Sequence, residues 1–323
     1  MTKNILITGG AGYIGSHVAE VLIKNKKKIF IVDNLSTGYK KLINKRATFV
    51  KLDILKTKKL KDIVKKNKID SVIHLAANLE ISEGEKYPKK YFRNNVIGTK
   101  SLLLACENTS VKNVIFSSSA AIYKDGQHKV NENSIIKPKS VYGKTKIKAE
   151  KIIKQFCKRN NINYCILRYF NIAGSSTSGK IGLINKSDHL FKNFSREIIK
   201  KRPILKIYGD NYDTKDGSCI RDFIHVSDIA EIHFKVLEKI NKVKNSKILN
   251  CGYNKGISVL DVAKVFKKQT SKNVKILVSK RRKGDLVKII ASNTNLKKFI
   301  KWKPKFNNLN TIVKSSINWE KRL

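Results

Sequence analysis

The chain has 323 residues, 41% of them apolar, with 17 Gly and 4 Pro; the length suggests two domains, and the composition excludes a disordered or collagen-like chain. Lys and Arg total 69 against 24 Asp and Glu, a formal net charge of +45, which raises nucleic acid or an anionic membrane as a partner. Against both stand 59 Lys to only 10 Arg, spread along the whole chain, where Arg is favoured for bidentate phosphate and base contacts, and the absence of any helix-turn-helix, zinc-finger or RNP signature.

Taken in chain order, residues 4–8, 28–33, 48–52, 71–75, 113–118 and 163–168 read as strands, and between them lie helical stretches at 13–25, 58–67, 91–108 and 142–160. Such a βαβ series implies an α/β fold: a doubly wound, largely parallel sheet with its ligand crevice at the carboxyl ends of the strands. Residues 171–188, rich in Gly, Ser and Asn, read as loop, followed by a helix near 190–201. Strands at 204–208, 247–250 and 274–278 then alternate with helices at 226–240 and 259–269, a smaller mixed α/β substrate domain. The expected division is 1–175 and 176–323, with room for the chain to return to the first domain around 220–252.

No apolar run approaches the roughly 18 residues of a membrane helix, and a strand starting at Asn4 leaves no room for a signal peptide. A cytoplasmic protein is expected, without a membrane or a specific nucleic-acid partner. Five scattered cysteines (Cys106, Cys157, Cys165, Cys219, Cys251), never spaced C-x-x-C, support neither disulfides nor a metal site.

The sharpest local signal is Thr8-Gly9-Gly10-Ala11-Gly12-Tyr13-Ile14-Gly15, directly after the first strand. A turn that cradles a pyrophosphate needs Gly where φ is unusual, where backbone must approach the phosphate and where helix packs on strand; the helix N-terminus adds amide donors and positive dipole. Gly9, Gly12 and Gly15 fill these positions. The second strand ends in Asp33, where a carboxylate takes ribose hydroxyls and repels a 2′-phosphate, favouring NAD over NADP. Asp53 and Ile54 can meet the adenine, Leu75, Ala76 and Ala77 let a cofactor lie across the strand ends, and Asn94 and Asn95 can face the crevice. Taken singly, each of these suits structure as well as function.

Ser119 follows the fifth strand candidate, and Tyr142-Gly143-Lys144-Thr145-Lys146 opens the next helix. Residues four apart share a helix face, so Tyr142 and Lys146 can point together into the crevice. A phenol titrates near pH 10, and to serve as a base near pH 7 it must lose roughly three units, about 4 kcal/mol. A lysine ammonium and a positive nicotinamide both favour the phenolate, while Ser119 can hydrogen-bond the reacting oxygen.

These segments, with Asp33-Asn34-Leu35 and Leu167-Arg168-Tyr169-Phe170-Asn171, resemble the extended short-chain dehydrogenase/reductase family of nucleotide-sugar enzymes, whose first domain is a Rossmann-type sheet. Asp216-Gly217-Ser218-Cys219-Ile220-Arg221-Asp222-Phe223 and Arg281-Arg282-Lys283-Gly284-Asp285-Leu286 are similar to its epimerase branch, and the likeness runs from Asn4 to about Trp319. Dehydratase relatives carry an acidic pair where this chain has Ala120-Ala121. The resemblance implies 4-epimerization of UDP-glucose and UDP-galactose in a homodimer, with Ser119, Tyr142 and Lys146 catalytic and NAD held also by Tyr13, Ile14, Asn34, Asn94, Ser117 and Tyr169. It implies UDP-sugar contacts at Asn171, His189, Leu190, Tyr208, Arg221, Arg282, Asp285 and Ile289. Guanidinium forks match phosphate oxygens, although Arg221 could instead pair with Asp222. Ile289 stands where the family carries either a bulky tyrosine or a small residue beside the sugar 2-substituent. Alternatives are a related epimerase of uronic, pentose or N-acetylated UDP-sugars and a non-catalytic NAD-binding protein with a basic surface. Three departures stand out: no lysine in Ala77-Asn78-Leu79-Glu80, Lys124 for a usual glycine, and Gly84 for a usual serine or threonine.

Overall fold

The computed structural model describes residues 3–185, 188–240, 242, 246–282 and 285–323, so Lys283 and Gly284 of the basic motif lie outside the described residues. The first half runs β1 (Asn4–Thr8), α1 (Tyr13–Lys24), β2 (Lys28–Asp33), β3 (Thr48–Lys51), α2 (Thr57–Lys66), β4 (Ser71–His74), α3 (Ile81–Lys86), α4 (Pro88–Phe92), α5 (Gly98–Cys106), β5 (Asn113–Ser119), β6 (Lys129–Val130), α6 (Val141–Arg159) and β7 (Asn163–Tyr169). The second half runs β8 (Asn171–Ala173), α7 (Leu190–Ile198), β9 (Ile204–Tyr208), β10 (Ile220–Arg221), β11 (Phe223–His225), α8 (Val226–Ile240), β12 (Lys247–Cys251), β13 (Ile257–Ser258), α9 (Val259–Lys267), β14 (Lys275–Ser279), β15 (Lys288–Ala291), α10 (Thr294–Ile300) and α11 (Leu309–Glu320).

Among the described residues, one sheet has seven strands in the order β12-β7-β5-β4-β1-β2-β3, all parallel. Its central strands are apolar on both faces because both are covered. Ile5, Ile7, Ile29 and Ile31 enter one core, shared with α1 and α8. Leu6, Phe30 and Val32, one residue out of step, enter the other, shared with α2, α5 and α6, as the two-residue period of a strand requires. The seventh strand, β12, comes from the segment that sequence reading placed in the smaller region, and it pairs with β7 from Cys165 to Tyr169.

Two sequence expectations change. The helix expected over 91–108 is broken: α4 begins at Pro88, a π turn spans Arg93–Ile97, and α5 resumes at Gly98. The wide turn, a form that recurs at functional sites, carries the buried Asn95. The region 171–188 is not all loop, since β8 pairs with β11. Beyond it a small mixed sheet, β13-β10-β15-β6, is built from strands of two to four residues. Buried Asp222 ties this sheet down, its carboxylate accepting from the amides of Tyr253, Asn254 and Ala291 at 2.8–3.1 Å.

Candidate active site

The glycine turn leaves β1 with Gly9 at φ +74°, and a Cβ there would sit 2.7 Å from the Ala76 amide nitrogen. A Cβ on Gly15 would collide with the Gly9 carbonyl oxygen. Helix α1 then starts at Gly12 with no side-chain cap and no acidic residue in its first turn, whereas α6 and α9 are capped by Ser140 and Ser258. An uncapped N-terminus offers amide donors and the positive end of the dipole to an anion. Tyr13 turns its phenol away from the turn, to the Gly174 carbonyl at 2.6 Å, leaving Tyr13 and Ile14 to contribute backbone.

Asp33 is buried, and its carboxylate accepts from Ala11 and Leu35 amides at 3.0 and 2.8 Å, so it locks the turn while retaining lone pairs for hydroxyl donors. Burial raises its pKa above the ordinary carboxylate value. Asn34 donates to Asp53 at 2.9 Å. The Ile54 side chain lies in the core beneath Gly98 and its carbonyl accepts from Ser101, so this side chain is a packing group, and an adenine contact rests on Asp53 and backbone.

A polar relay floors the crevice. Thr99 donates to the Asn95 carbonyl, which makes its oxygen the acceptor of the His74 Nε2 proton at 2.9 Å and leaves His74 Nδ1 to accept from Thr8 at 2.7 Å. The Asn95 carboxamide bonds both backbone groups of Asn78 and reaches Thr145 at 3.1 Å; Thr145 donates to the Tyr142 carbonyl. Asn95 thus holds the loop after β4 without the lysine that is absent there, while Asn94 is half-buried and donates to it. Leu75, Ala76 and Ala77 are half-buried beside it. Gly84 also has a reason: a Cβ there would lie 3.2 Å from the ring of buried Tyr91.

Strand β5 and helix α6 bring the three chemical groups together. The Ser140 cap on Gly143 fixes the helix start and thereby Tyr142, two residues on. Lys146, 2% exposed, donates to the Ser117 carbonyl at 2.8 Å and lies 5.7 Å from the centre of the Tyr142 ring. Ser117 itself donates to the His74 carbonyl. Burial pushes the Tyr142 phenol up to about 12, with the hydrogen bond to Ser119 working the other way. Burial pulls Lys146 down to about 7, against the charge of Glu150. Desolvation therefore makes the shift needed for a base near pH 7 larger than the roughly three units of an ordinary phenol. Tyr169 couples electrostatically to Tyr142, but its hydroxyl is tied to His233 at 2.7 Å.

In the second half of the chain the Arg282 guanidinium stacks 3.9 Å from the Tyr208 ring centre, and Arg221 faces Asp285 at 3.6 Å. The partner of Arg221 is therefore Asp285 and not Asp222. Arg221 pairs in register with Ile289, and Ile289 packs with Ala120, Tyr123 and Phe170 next to Ser119, linking the two ends of the site. Asn171 is exposed at the start of β8. His189 is otherwise employed: it caps α7 by accepting from Lys192 and engages the Ile172 carbonyl at 2.6 Å, and Leu190 packs on the neighbouring apolar core.

The chain matches the NAD dependent epimerase/dehydratase family over residues 5–252. It belongs to that family. Among curated relatives, a UDP-glucose 4-epimerase of Lactobacillus helveticus is 37% identical over 98% of this chain and 97% of its own length. A UDP-glucose-4-epimerase from Stenotrophomonas maltophila, crystallised with bound NAD and formylated UDP-arabinopyranose, superposes with a TM-score of 0.95 at 30% identity, covering 99% of this chain and 98% of its own. The UDP-Glc/GlcNAc 4-epimerase of Campylobacter jejuni gives a TM-score of 0.86 at 36% identity, over 99% of this chain and all 100% of that one. Sequence reading quoted Thr145 and Arg168 only as members of motifs, without a role, and did not reach Glu150, which stands in no motif.

Proposed function

We propose that the chain is an NAD-dependent 4-epimerase that interconverts UDP-glucose and UDP-galactose. The observation that carries this reading is the convergence of Ser119, Tyr142 and Lys146 at the end of β5; Arg221, beside Asp285, and Arg282, stacked on Tyr208, supply the guanidinium groups a diphosphate needs. The relatives' names support the sugar and the reaction.

The residues fit NAD. The uncapped turn Gly9, Gly12, Gly15 suits a pyrophosphate, Asp33 with Asn34 and Asp53 suits the adenosine, and Lys146, Ser117, Asn94 and Tyr169 border the nicotinamide end. When bound, the cofactor supplies reversible hydride exchange at the sugar C4. In this mechanism the Tyr142 oxygen takes the 4-hydroxyl proton and later returns it, Ser119 hydrogen-bonds the same sugar oxygen, and Lys146 lowers the cost of phenolate. Arg221 and Arg282 bind the diphosphate through charge-assisted hydrogen bonds, with Asp285 and Tyr208 toward the uridine and Asn171 along the sugar side. Firm grip on the nucleotide and loose grip on the sugar let the 4-keto sugar turn over and be reduced on its other face. Tyr142→Phe should keep its fold and its NAD while losing most turnover; wild-type turnover in that variant would remove the assigned base.

A wider substrate range is favoured by Ile289. Its branched side chain is stiff and shorter than a phenol, and a relative 36% identical to this chain is named for both UDP-Glc and GlcNAc. The proposal extends to a cytoplasmic homodimer, divided near residue 175, with the chain returning to the first domain around 220–252. Phe92, Ile97 and Leu104 are exposed on the segment from α4 to α5, which packs on α6 and offers a face for a two-fold partner. A monomer by light scattering at micromolar concentration would count against the dimer. Among the described residues, no helix is long and apolar enough to cross a membrane.

A further inference from the structure

Strand β5 ends in three consecutive serines, and α6 answers them at three positions four residues apart. The Ser119 side chain meets Tyr142, the Ser117 carbonyl accepts from Lys146 at 2.8 Å, and the Ser118 hydroxyl donates to Glu150 at 2.6 Å. Positions 142, 146 and 150 lie along one stripe of the helix, so the stripe that carries the two chemical groups ends in a carboxylate that is 0% exposed.

We propose that Glu150 is a positioning residue of the catalytic site: its buried carboxylate holds the Lys146 ammonium charged beside the Tyr142 phenol. The inference rests on the epimerase reading given above. Among the described residues no carboxylate bridges Lys146 directly, and its Nζ is held by a neutral carbonyl. Glu150 sits one helical turn away, and its charge opposes the burial that would otherwise neutralise Lys146. The carboxylate is fixed rather than merely present. Arg168, on β7, grips it with Nε and Nη2 at 3.0 and 2.9 Å, and Arg168 is itself held by the Tyr123 hydroxyl and the Glu132 carbonyl. Stability alone is a weak reason for such a pair, because apolar residues of similar volume usually serve as well or better. The other titratable groups shown against Lys146 are Tyr142 on its own helix and His74 from β4; from β7, Arg168 grips Glu150 and Tyr169 couples to Tyr142. Burial, and next the Lys146 charge, push His74 down to about 3, so it is neutral at working pH; Arg168 is positive and works against the ammonium. Glu150 is the group among these that favours it.

Three variants separate charge from packing: Glu150→Gln, the double replacement Glu150→Leu with Arg168→Met, and Ser118→Ala. The double variant removes both charges and should fold, as buried pairs replaced by apolar residues do; melting temperature and circular dichroism check this. The readouts are the pH profile of turnover and an ultraviolet titration of the Tyr142 phenolate, with Tyr142→Phe on the same background as the blank. Glu150→Gln should move the basic limb of the turnover profile down by about one pH unit, with KM nearly unchanged, and move the phenolate titration up; the double variant, which also removes the opposing Arg168 charge, should move the limb in the same direction by less. Ser118→Ala keeps the carboxylate and should leave the basic limb in place. A Glu150→Gln variant that folds and shows the wild-type limb overturns the proposal, and so does a folded double variant whose limb moves up, or a Ser118→Ala shift as large as that of Glu150→Gln. If the wild type does not epimerise, or Tyr142→Phe matches it, the epimerase reading itself fails, which is a different result.

Discussion

Replacing Lys146 by Met tests how the phenol becomes a base. Burial holds Tyr142 at about 12, so delivering phenolate at pH 7 requires about five units, on the order of 7 kcal/mol at 1.36 kcal/mol per unit. One positive charge 5.7 Å away is worth about 3 kcal/mol at an effective dielectric constant of about 20, or roughly two units. Lys146 therefore supplies part of the shift, and a second positive charge, which oxidised nicotinamide carries, must supply the rest. Met keeps most of the volume and leaves the Ser117 carbonyl without its donor, a cost of about 1–3 kcal/mol that is offset by no longer burying an ammonium. The fold should survive. Turnover of UDP-galactose at pH 7 with saturating NAD should fall about 100-fold, and the deficit should shrink as pH rises toward 10, where solution rather than Lys146 deprotonates the phenol. Activity within threefold of wild type, or a deficit equal at pH 7 and pH 10, would refute the argument.

Gly15→Ala, whose Cβ meets the Gly9 carbonyl, should abolish NAD binding by calorimetry while the protein still shows an α/β circular dichroism spectrum; unchanged affinity would place the dinucleotide elsewhere. Burial holds His17 at about 4, His74 at about 3, His225 at about 3 and His233 at about 4, all below the unfolded value near 6.5. The unfolded chain thus takes up protons first, and stability present above pH 6.5 is lost as pH falls toward 4, by up to about 1.4 kcal/mol per pH unit for each histidine. Asp222, raised to about 6 by burial, works in the opposite sense below pH 6 and offsets one of the four. Denaturant midpoints that stay level between pH 7.5 and pH 5 would contradict this. Ile289→Ser should raise the specificity constant for UDP-N-acetylglucosamine relative to UDP-glucose, within the roughly 10- to 200-fold range that a methylene or two commands in a pocket, and Ile289→Tyr should lower it at some cost in stability, because the site is packed against Tyr123 and Phe170. An unchanged ratio in both variants removes Ile289 as the gate.

Much of the large sheet could be read directly, since its strands are short apolar runs separated by helical periods, and both faces of the sheet are covered. The glycine turn was equally plain, because close approach leaves few alternatives to Gly at positions 9 and 15. What escaped had no period to betray it. Strands of two residues such as Lys129–Val130 and Ile257–Ser258 carry no alternation, and the π turn at Arg93–Ile97 keeps a helical pattern while shifting its register. His189 looked like a ligand by position, yet both ring nitrogens serve the backbone. The charge states of Tyr142 and Lys146 were beyond reach for another reason: desolvation is set by everything packed around a group, such as the Phe116 ring against Lys146, and not by spacing along the helix.

The central claim is an epimerase that regenerates its own cofactor in each cycle, and the most direct measurement is the number of UDP-galactose molecules converted per NAD. Purified protein given substoichiometric NAD, or none beyond what it carries, should bring UDP-galactose and UDP-glucose to equilibrium through many turnovers with no net gain of absorbance from reduced nicotinamide. Conversion that stops at one sugar per NAD, with reduced nicotinamide accumulating in proportion, would show an ordinary dehydrogenase and contradict the account.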